Sequence, residues 1–318
     1  RLSAGDVVEV RYRLEATGDN NDFADYFGEF VSMESSDPVL SSEYVVIAPK
    51  QRNLFFSASA IAGLGRETKQ DENNNIYRFH AENLPAIFPE PNMPSWSELV
   101  GKIHVSTYRN WEDVGKWYWG LSKDQLVPDG EVRARVEQIT KGLTDDASKV
   151  RAVYDYVVQR TRYVALEFGI EGYRPRRASQ TFARGWGDCK DKAALIVTML
   201  RVLNIPASMV LVRTSDRGDF PTELASIAPF NHAIAYVPSL DLYLDGTAEY
   251  TGSTELPSMD RNALALVVNE NGVKLTHLPD PSAENTVRAR RLDATIAPNG
   301  AATMDMQYES RGAFAAQW

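Results

Sequence analysis

The residues best suited to chemistry are one cysteine, one histidine and one aspartate that follow one another along the chain. Cys189 is the single cysteine among 318 residues, and His232 and Asp245 follow it in two segments of alternating apolar residues. A thiol, an imidazole and a carboxylate can serve as a nucleophile, its base and the group that orients the base. A cysteine or histidine alone is more often structural, so the hypothesis depends on the three occurring in this order.

The residues around the cysteine predict that the thiol lies at the start of a helix. Asp188 is a favourable N-cap, and Asp191 lies three positions later, which is the spacing of a capping box. Residues 193–203 are apolar nearly all round, so we expect a central buried helix that ends before Pro206. At the first helical position, the helix dipole and free backbone N–H groups stabilise a thiolate.

The histidine and the aspartate are predicted on adjacent strands of one hairpin. If residues 237–240 form its loop, His232 lies directly opposite Asp245. Side chains alternate with period two along a strand, so an even loop places both on one face and an odd loop separates them. Asp245 would then orient one ring nitrogen while the other faces Cys189. Because Asp245 precedes Gly246, it could equally be a turn residue.

Alternation with period two predicts strands in the first and last parts of the chain, and helical periodicity predicts helices between them. The predicted strands are residues 6–14, 43–47, 53–59, 76–81, 102–108, 208–213, 231–237, 242–245, 263–268, 273–278, 287–292 and 301–308. The predicted helices are residues 110–121, 129–142, 144–157 and 189–203, with Thr144 as the N-cap of the third. The aromatic residues of the first helix are interpreted as packing between domains, and they are Trp111, Trp117, Tyr118 and Trp119.

These elements group into three regions. Residues 1–125 are predicted to form an N-terminal β-rich domain and residues 126–260 a mixed core that contains the three candidate site residues. Residues 261–318 are predicted to form a further β segment that is incomplete.

Composition excludes several classes of protein. The net charge is −9 and the sequence pI is about 5.1, which argues against a nucleic-acid-binding protein. No apolar run approaches the roughly 20 residues of a membrane span, and no signal peptide is evident after Arg1. The histidine, cysteine and aspartate spacing matches no known metal site, so neither a metal nor a cofactor is expected.

Several motifs together resemble the bacterial transglutaminase-like superfamily. They are residues 187–193 (GDCKDKA), 200–207 (LRVLNIPA), 231–233 (NHA) and 243–247 (YLDGT). Tyr163, residues 172–176 (GYRPR) and Ala178 resemble the subgroup with an extra N-terminal β-sandwich of unknown function. The resemblance implies an α+β fold, with a papain-like core in which helices pack on an antiparallel sheet. A β-sandwich would precede this core, and the start of a C-terminal β-domain would follow it.

The resemblance also implies roles for the site residues. Cys189 would be the nucleophile, His232 the general base and acid, and Asp245 the residue that orients the imidazole. The backbone N–H of Cys189 would be one oxyanion donor. Trp186, Tyr173 and Asp188 are further candidates for binding substrate or the oxyanion, although the two aromatic residues could equally pack. Arg184 and Lys190 flank the site, where they could tune the thiolate or bind an acidic group, and a solvated surface role is the preferred interpretation.

The reaction that this implies is acyl transfer or hydrolysis at peptide or amide bonds through a thioester, with a peptide or protein as substrate. An alternative is a binding scaffold for a peptide or polysaccharide, in which the triad is a relic. A third possibility is ester or glycan chemistry at the same site. The resemblance implies a periplasmic or extracellular location, and the sequence does not indicate an oligomeric state.

Overall fold

The helix that begins at Cys189 is the central element of the fold. A computed structural model describes residues 3, 5–15, 23–280, 284 and 286–317. Its helices are α1 (Trp96–Leu99), α2 (Trp111–Ser122), α3 (Gly130–Ile139), α4 (Asp146–Arg160), α5 (Ala178–Arg184) and α6 (Cys189–Val202). None of the helices in these ranges combines the length and apolarity that a membrane span requires.

The strands form several separate sheets. They are β1 (Gly28–Ser32), β2 (Val39–Pro49), β3 (Phe55–Ala58), β4 (Gly65–Gln70), β5 (Asn74–Leu84), β6 (Lys102–Ser106), β7 (Arg162–Tyr163), β8 (Trp186–Gly187), β9 (Ser208–Arg213), β10 (His232–Val237), β11 (Leu242–Leu244), β12 (Leu264–Asn269), β13 (Gly272–His277), β14 (Arg288–Ile296) and β15 (Ala302–Ser310).

The N-terminal region consists of two antiparallel sheets of three strands. Their orders are β1-β6-β3 and β2-β5-β4. Buried side chains from both sheets, among them Phe79 on β5 and Ile103 on β6, belong to one hydrophobic cluster. The two sheets therefore share a core, which is the sandwich that the sequence predicts.

The strand predicted over residues 6–14 is wrong. Residues 6–15 form no strand, and within the described chain no ladder pairs with them. The apolar side chains that alternate there, Val8, Val10, Tyr12 and Leu14, are 60–87% exposed. Alternation alone does not make a strand, because the backbone N–H and C=O groups need a neighbouring strand to bond with.

The core is a five-stranded sheet packed against α6. The strand order is β11-β10-β9-β12-β13, and all the pairs are antiparallel. Apolar residues on every side of α6 are fully buried, including Ala193, Leu195, Ile196 and Leu200, so the predicted central helix is confirmed. Helices α3, α4 and α5 pack against α6, which itself contacts β9 and β10 of the sheet.

Two details of the core differ from the sequence predictions. Strands β12 and β13, which the sequence assigns to the C-terminal segment after residue 260, are part of the core sheet, because β12 pairs with the central strand β9. Helix α4 is capped by Asp145 rather than Thr144: the Asp145 side chain accepts a bond of 2.8 Å from the backbone N–H of Ser148.

The C-terminal segment is a two-stranded hairpin of β14 and β15. Nearly every residue of the two strands is exposed, including Leu292, Ile296 and Met304. A lone hairpin buries too little apolar surface to be stable by itself in water.

Helix α2 connects the N-terminal sheets to the core and packs against β12 and β13. We expect Gly115→Ala to destabilise the protein by about 1–3 kcal/mol, because the new Cβ would overlap Cγ1 of Val273 on β13. Gly120→Ala in the same helix is the matched control: its Cβ meets nothing within 4 Å, so the better helix former should add about 0.5–1 kcal/mol. Urea unfolding measures both, and equal stabilities would contradict the packing described.

Candidate active site

Cys189 lies at the first position of α6, and a capping box fixes it there. The Asp188 side chain accepts a bond of 3.2 Å from the Asp191 N–H, and the Asp191 side chain accepts one of 3.3 Å from the Asp188 N–H. The predicted capping box is thus confirmed. The first N–H groups of a helix have no intrahelical acceptor, so the thiol lies beside free donors and the positive end of the dipole.

Charged side chains are buried around this helix start. Arg176 donates to Asp191 at 3.0 Å, and the Lys190 ammonium lies 2.6 Å from Asp188. Burial raises the pKa of Asp188, as does the charge of Asp191, while Lys190 opposes the shift. The interpretation of Lys190 as solvated is wrong: it is 3% exposed, because Asp188 offers it a charge partner inside the protein. Arg184 is exposed, with its guanidinium over the Trp186 ring.

The sheet brings His232 and Asp245 together. Nε2 of His232 lies 3.3 Å from Oδ2 of Asp245, an ion-pair distance, and both side chains are almost fully buried. The other oxygen of Asp245 accepts bonds from the backbone N–H and the hydroxyl of Thr247, at 2.8 and 2.7 Å. These bonds orient the carboxylate toward the imidazole. They also stabilise the turn after β11, so Asp245 is a turn residue as well as a partner of His232.

The hairpin that carries the two residues has a different register from the prediction. Val237 pairs with Leu242, so the loop is residues 238–241, not 237–240, and His232 is not directly opposite Asp245. The register has moved by two residues, because Val237 continues β10 for one more position. The loop length is still even, so by alternation the two side chains remain on one face.

The thiol and the carboxylate both act on the imidazole. Burial alone lowers the pKa of His232, but the contacts and charges of Asp245 and Cys189 outweigh it and raise the pKa well above the ordinary value. Burial alone raises the pKa of Asp245. His232 and Thr247 lower it by more than burial raises it, so the pKa of Asp245 lies below its ordinary value. Because Nε2 faces Asp245, Nδ1 is the nitrogen left for the thiol. These shifts favour an imidazolium beside a carboxylate.

A second acidic residue beside His232 was missed by sequence reasoning. Asp260 is fully buried, and its Oδ1 lies 3.9 Å from Nε2 of His232. Burial raises the pKa of Asp260 to about 7, and the charge of Asp245 adds to the shift. Asp260 belongs to a short turn between two strands, where an aspartate ordinarily indicates only a loop. Its sequence neighbourhood therefore gives no signal of its burial.

A cavity of about 530 Å³ opens in front of Cys189 and His232. Of the predicted candidates, Tyr173 lines it, whereas Trp186 does not and has Arg176 and Arg184 against its ring. Asp188 caps α6 and pairs with Lys190, away from the lining.

The cavity wall also contains Tyr118 from α2, which the sequence interprets only as packing. Its side chain is fully buried, and among the described residues its hydroxyl has no hydrogen-bond partner. Burial raises the pKa of Tyr118 above its ordinary value, and the charges of Cys189 and Asp188 add to this, so the hydroxyl keeps its proton.

Two sets of described side chains have potential metal-ligand atoms within 4.8 Å of one another. The first is Glu167, Asp188 and Cys189, but Asp188 is already engaged by the Asp191 N–H and the Lys190 ammonium. The second is His232, Asp245 and Asp260. The expectation from the sequence that no metal is bound remains a prediction for both sets.

Comparisons with known proteins agree with this architecture. Residues 133–246 match the family model of the transglutaminase-like superfamily, and residues 1–88 match a domain of unknown function, DUF3857. No curated protein matches the chain.

Two solved structures are similar. A "putative protease" from Parabacteroides distasonis superposes with a TM-score of 0.64 and 15% identity over 87% of this chain and 54% of that one. The present chain therefore spans about half of that protein. A "putative cysteine protease" from Cytophaga hutchinsonii gives a TM-score of 0.32 and 13% identity over 90% and 92%. The chain therefore has a transglutaminase-like core domain that follows an N-terminal DUF3857 domain.

Proposed function

We propose that the protein is a cysteine hydrolase that cleaves peptide or amide bonds through a thioester on Cys189. The observation that carries the proposal is the buried ion-pair contact of His232 with Asp245, at the edge of a cavity that both Cys189 and His232 line. A structural cysteine needs no imidazole of raised pKa beside it. The superposition with a "putative protease" of the same fold supports this choice of bond.

The reaction follows from the positions of the three groups. The Cys189 thiolate attacks the amide carbon, and an S–C bond forms as the carbonyl oxygen becomes an oxyanion. The His232 imidazolium gives its proton to the leaving nitrogen, the C–N bond breaks, and a thioester remains. Water then attacks the thioester while His232 takes its proton, and the thiolate leaves. Asp245 keeps the imidazole in position throughout.

Tyr118 is the proposed second oxyanion donor, beside the backbone N–H of Cys189. Among the described residues the Tyr118 hydroxyl has no hydrogen-bond partner, so it need not break a bond to any of them before it donates. Burial and nearby negative charges keep the hydroxyl protonated across the neutral range. Tyr173, which the sequence suggests, faces the rings of Phe23 and Trp117 and is interpreted as a wall for substrate.

Hydrolysis is proposed rather than crosslinking, because a transglutaminase-like core does not by itself supply an acyl acceptor. A peptide or protein substrate and a periplasmic or extracellular location are part of the same proposal. If the protein is instead a binding scaffold, the Cys189 thiol should be unreactive, since binding a peptide or polysaccharide does not require an imidazole that activates a thiol.

Cys189→Ala should abolish turnover of peptide or amide substrates while the fold is retained. The screen uses a peptide library with mass spectrometry, and trapping of an acyl group on the protein identifies the thioester. Since the chain has one cysteine, any thioester must be on Cys189. Cleavage that persists in the Ala variant, with an unchanged circular dichroism spectrum, would contradict the proposal.

Tyr118→Phe should lower kcat by about 10²- to 10³-fold, which is the usual effect of removing one oxyanion donor. Alkylation of Cys189 by iodoacetamide should be unchanged in this variant, because alkylation forms no oxyanion. Tyr173→Phe is the matched control in the same cavity and should leave kcat within about 2-fold. A kcat for Tyr118→Phe equal to that of the control would remove Tyr118 from the oxyanion site.

A further inference from the structure

The burial of Asp260 is unusual for its position in the fold. It ends a short turn, Ser258–Asp260, whose neighbouring residue Met259 is 37% exposed, yet Asp260 itself is fully buried. An aspartate in such a turn could face water without changing the backbone. Burying a carboxyl group is unfavourable unless it is neutral or has partners. A specific contact in the protein interior must therefore offset the cost of burying the Asp260 carboxyl group.

The buried polar atoms around Asp260 are incompletely hydrogen-bonded. Among the described residues, His232 Nε2, Asp245 Oδ2 and both oxygens of Asp260 make no hydrogen bond, although Nε2 lies 3.3 Å from Asp245 and 3.9 Å from Asp260. An oxygen of Asp245 and an oxygen of Asp260 lie within 4.8 Å of each other. Two carboxylates this close repel, whereas one proton between them turns the contact into a charge-assisted hydrogen bond.

The surroundings decide which carboxyl group carries the proton. Asp245 is ionised, since it faces the imidazole and accepts two bonds from Thr247. Among the described residues, neither oxygen of Asp260 has a hydrogen-bond partner. Other titratable groups near the pair include Tyr154 of α4, Lys192 of α6 and Tyr163 of β7. Tyr154 and Lys192 bond to the backbone carbonyls of Thr251 and Thr161 instead. Asp260 is therefore the neutral acid.

We propose that Asp260 is a positioning residue of the site: as a neutral acid it donates its proton to Asp245 and holds that carboxylate against His232. This deepens the proposed function and rests on it for its catalytic meaning. The site would then contain a Cys-His-Asp triad with an acid behind it. The proton of Asp260 is lost around neutral pH, where its pKa of about 7 lies. Above that pH the pair carries two charges, and Asp245 loses its donor.

The test follows the Cε1–H resonance of His232 by NMR, in the whole chain, from about pH 5 to about pH 10. In the native protein we expect a first step near pH 7, as Asp260 ionises, and a second at higher pH, as the imidazolium deprotonates. Asp260→Asn should remove the first step. It should also lower the pKa of His232, because a neutral amide replaces a nearby negative charge.

A positional effect is measured by iodoacetamide alkylation of Cys189. Asn can donate an N–H to Asp245, so Asp260→Asn should keep the rate at pH 6 within about 2-fold, whereas Asp260→Ala should lower it about tenfold. If the Ala variant does not fold, the Asn variant alone decides through the NMR step. The matched control is Asp280→Asn, an exposed aspartate, which should change neither readout.

Two results would overturn the proposal. One is a first step that persists in Asp260→Asn; the other is a step that EDTA removes from the native protein, since a metal ion would then join the carboxyl groups. The NMR step needs no turnover. A protein that shows the step but forms no thioester would therefore contradict the proposed function and leave the proton-sharing pair intact.

Discussion

The site depends on the capping box at the start of α6. Asp188 and Asp191 bond to each other's backbone N–H groups, and Asp191 also accepts bonds from the backbone and side chain of Arg176. These bonds fix Cys189 at the first helical position. Gly187 is required before it, since a Cβ there would lie 2.6 Å from Cβ of Asp191. The capping residues are buried, so water cannot replace these hydrogen bonds. The thiol therefore has a fixed position relative to the sheet.

The sheet then supplies the imidazole and its carboxylates. β10 begins at His232, and Asp245 follows β11, so the order of these strands beside β9 determines their separation. Burial would discourage charge on both groups if each stood alone. Mutual contact reverses this for the pair: the pKa of His232 is raised and that of Asp245 is lowered. A buried ion pair of this kind is retained for chemistry more readily than for stability.

Local patterns predicted the features that depend on neighbouring residues. The capping box, the apolar α6 and the face shared by His232 and Asp245 all follow from spacing within a few positions. Contacts between distant segments could not be predicted. Asp260 and Tyr118 reach the site only through the fold, and β12 joins the core because it pairs with β9. Edge strand β4 (GRETKQ) has too few apolar residues for alternation to reveal it, and residues 6–14 alternate without a pairing strand.

The most direct test of an activated thiol is the rate of Cys189 alkylation by iodoacetamide at about pH 6, with His232→Ala beside the native chain. We expect the native protein to react much faster than the variant, because the imidazolium of His232 favours the thiolate beside it. Equal rates in the two proteins, or no alkylation of the folded native protein, would contradict an activated Cys–His pair and favour a binding scaffold.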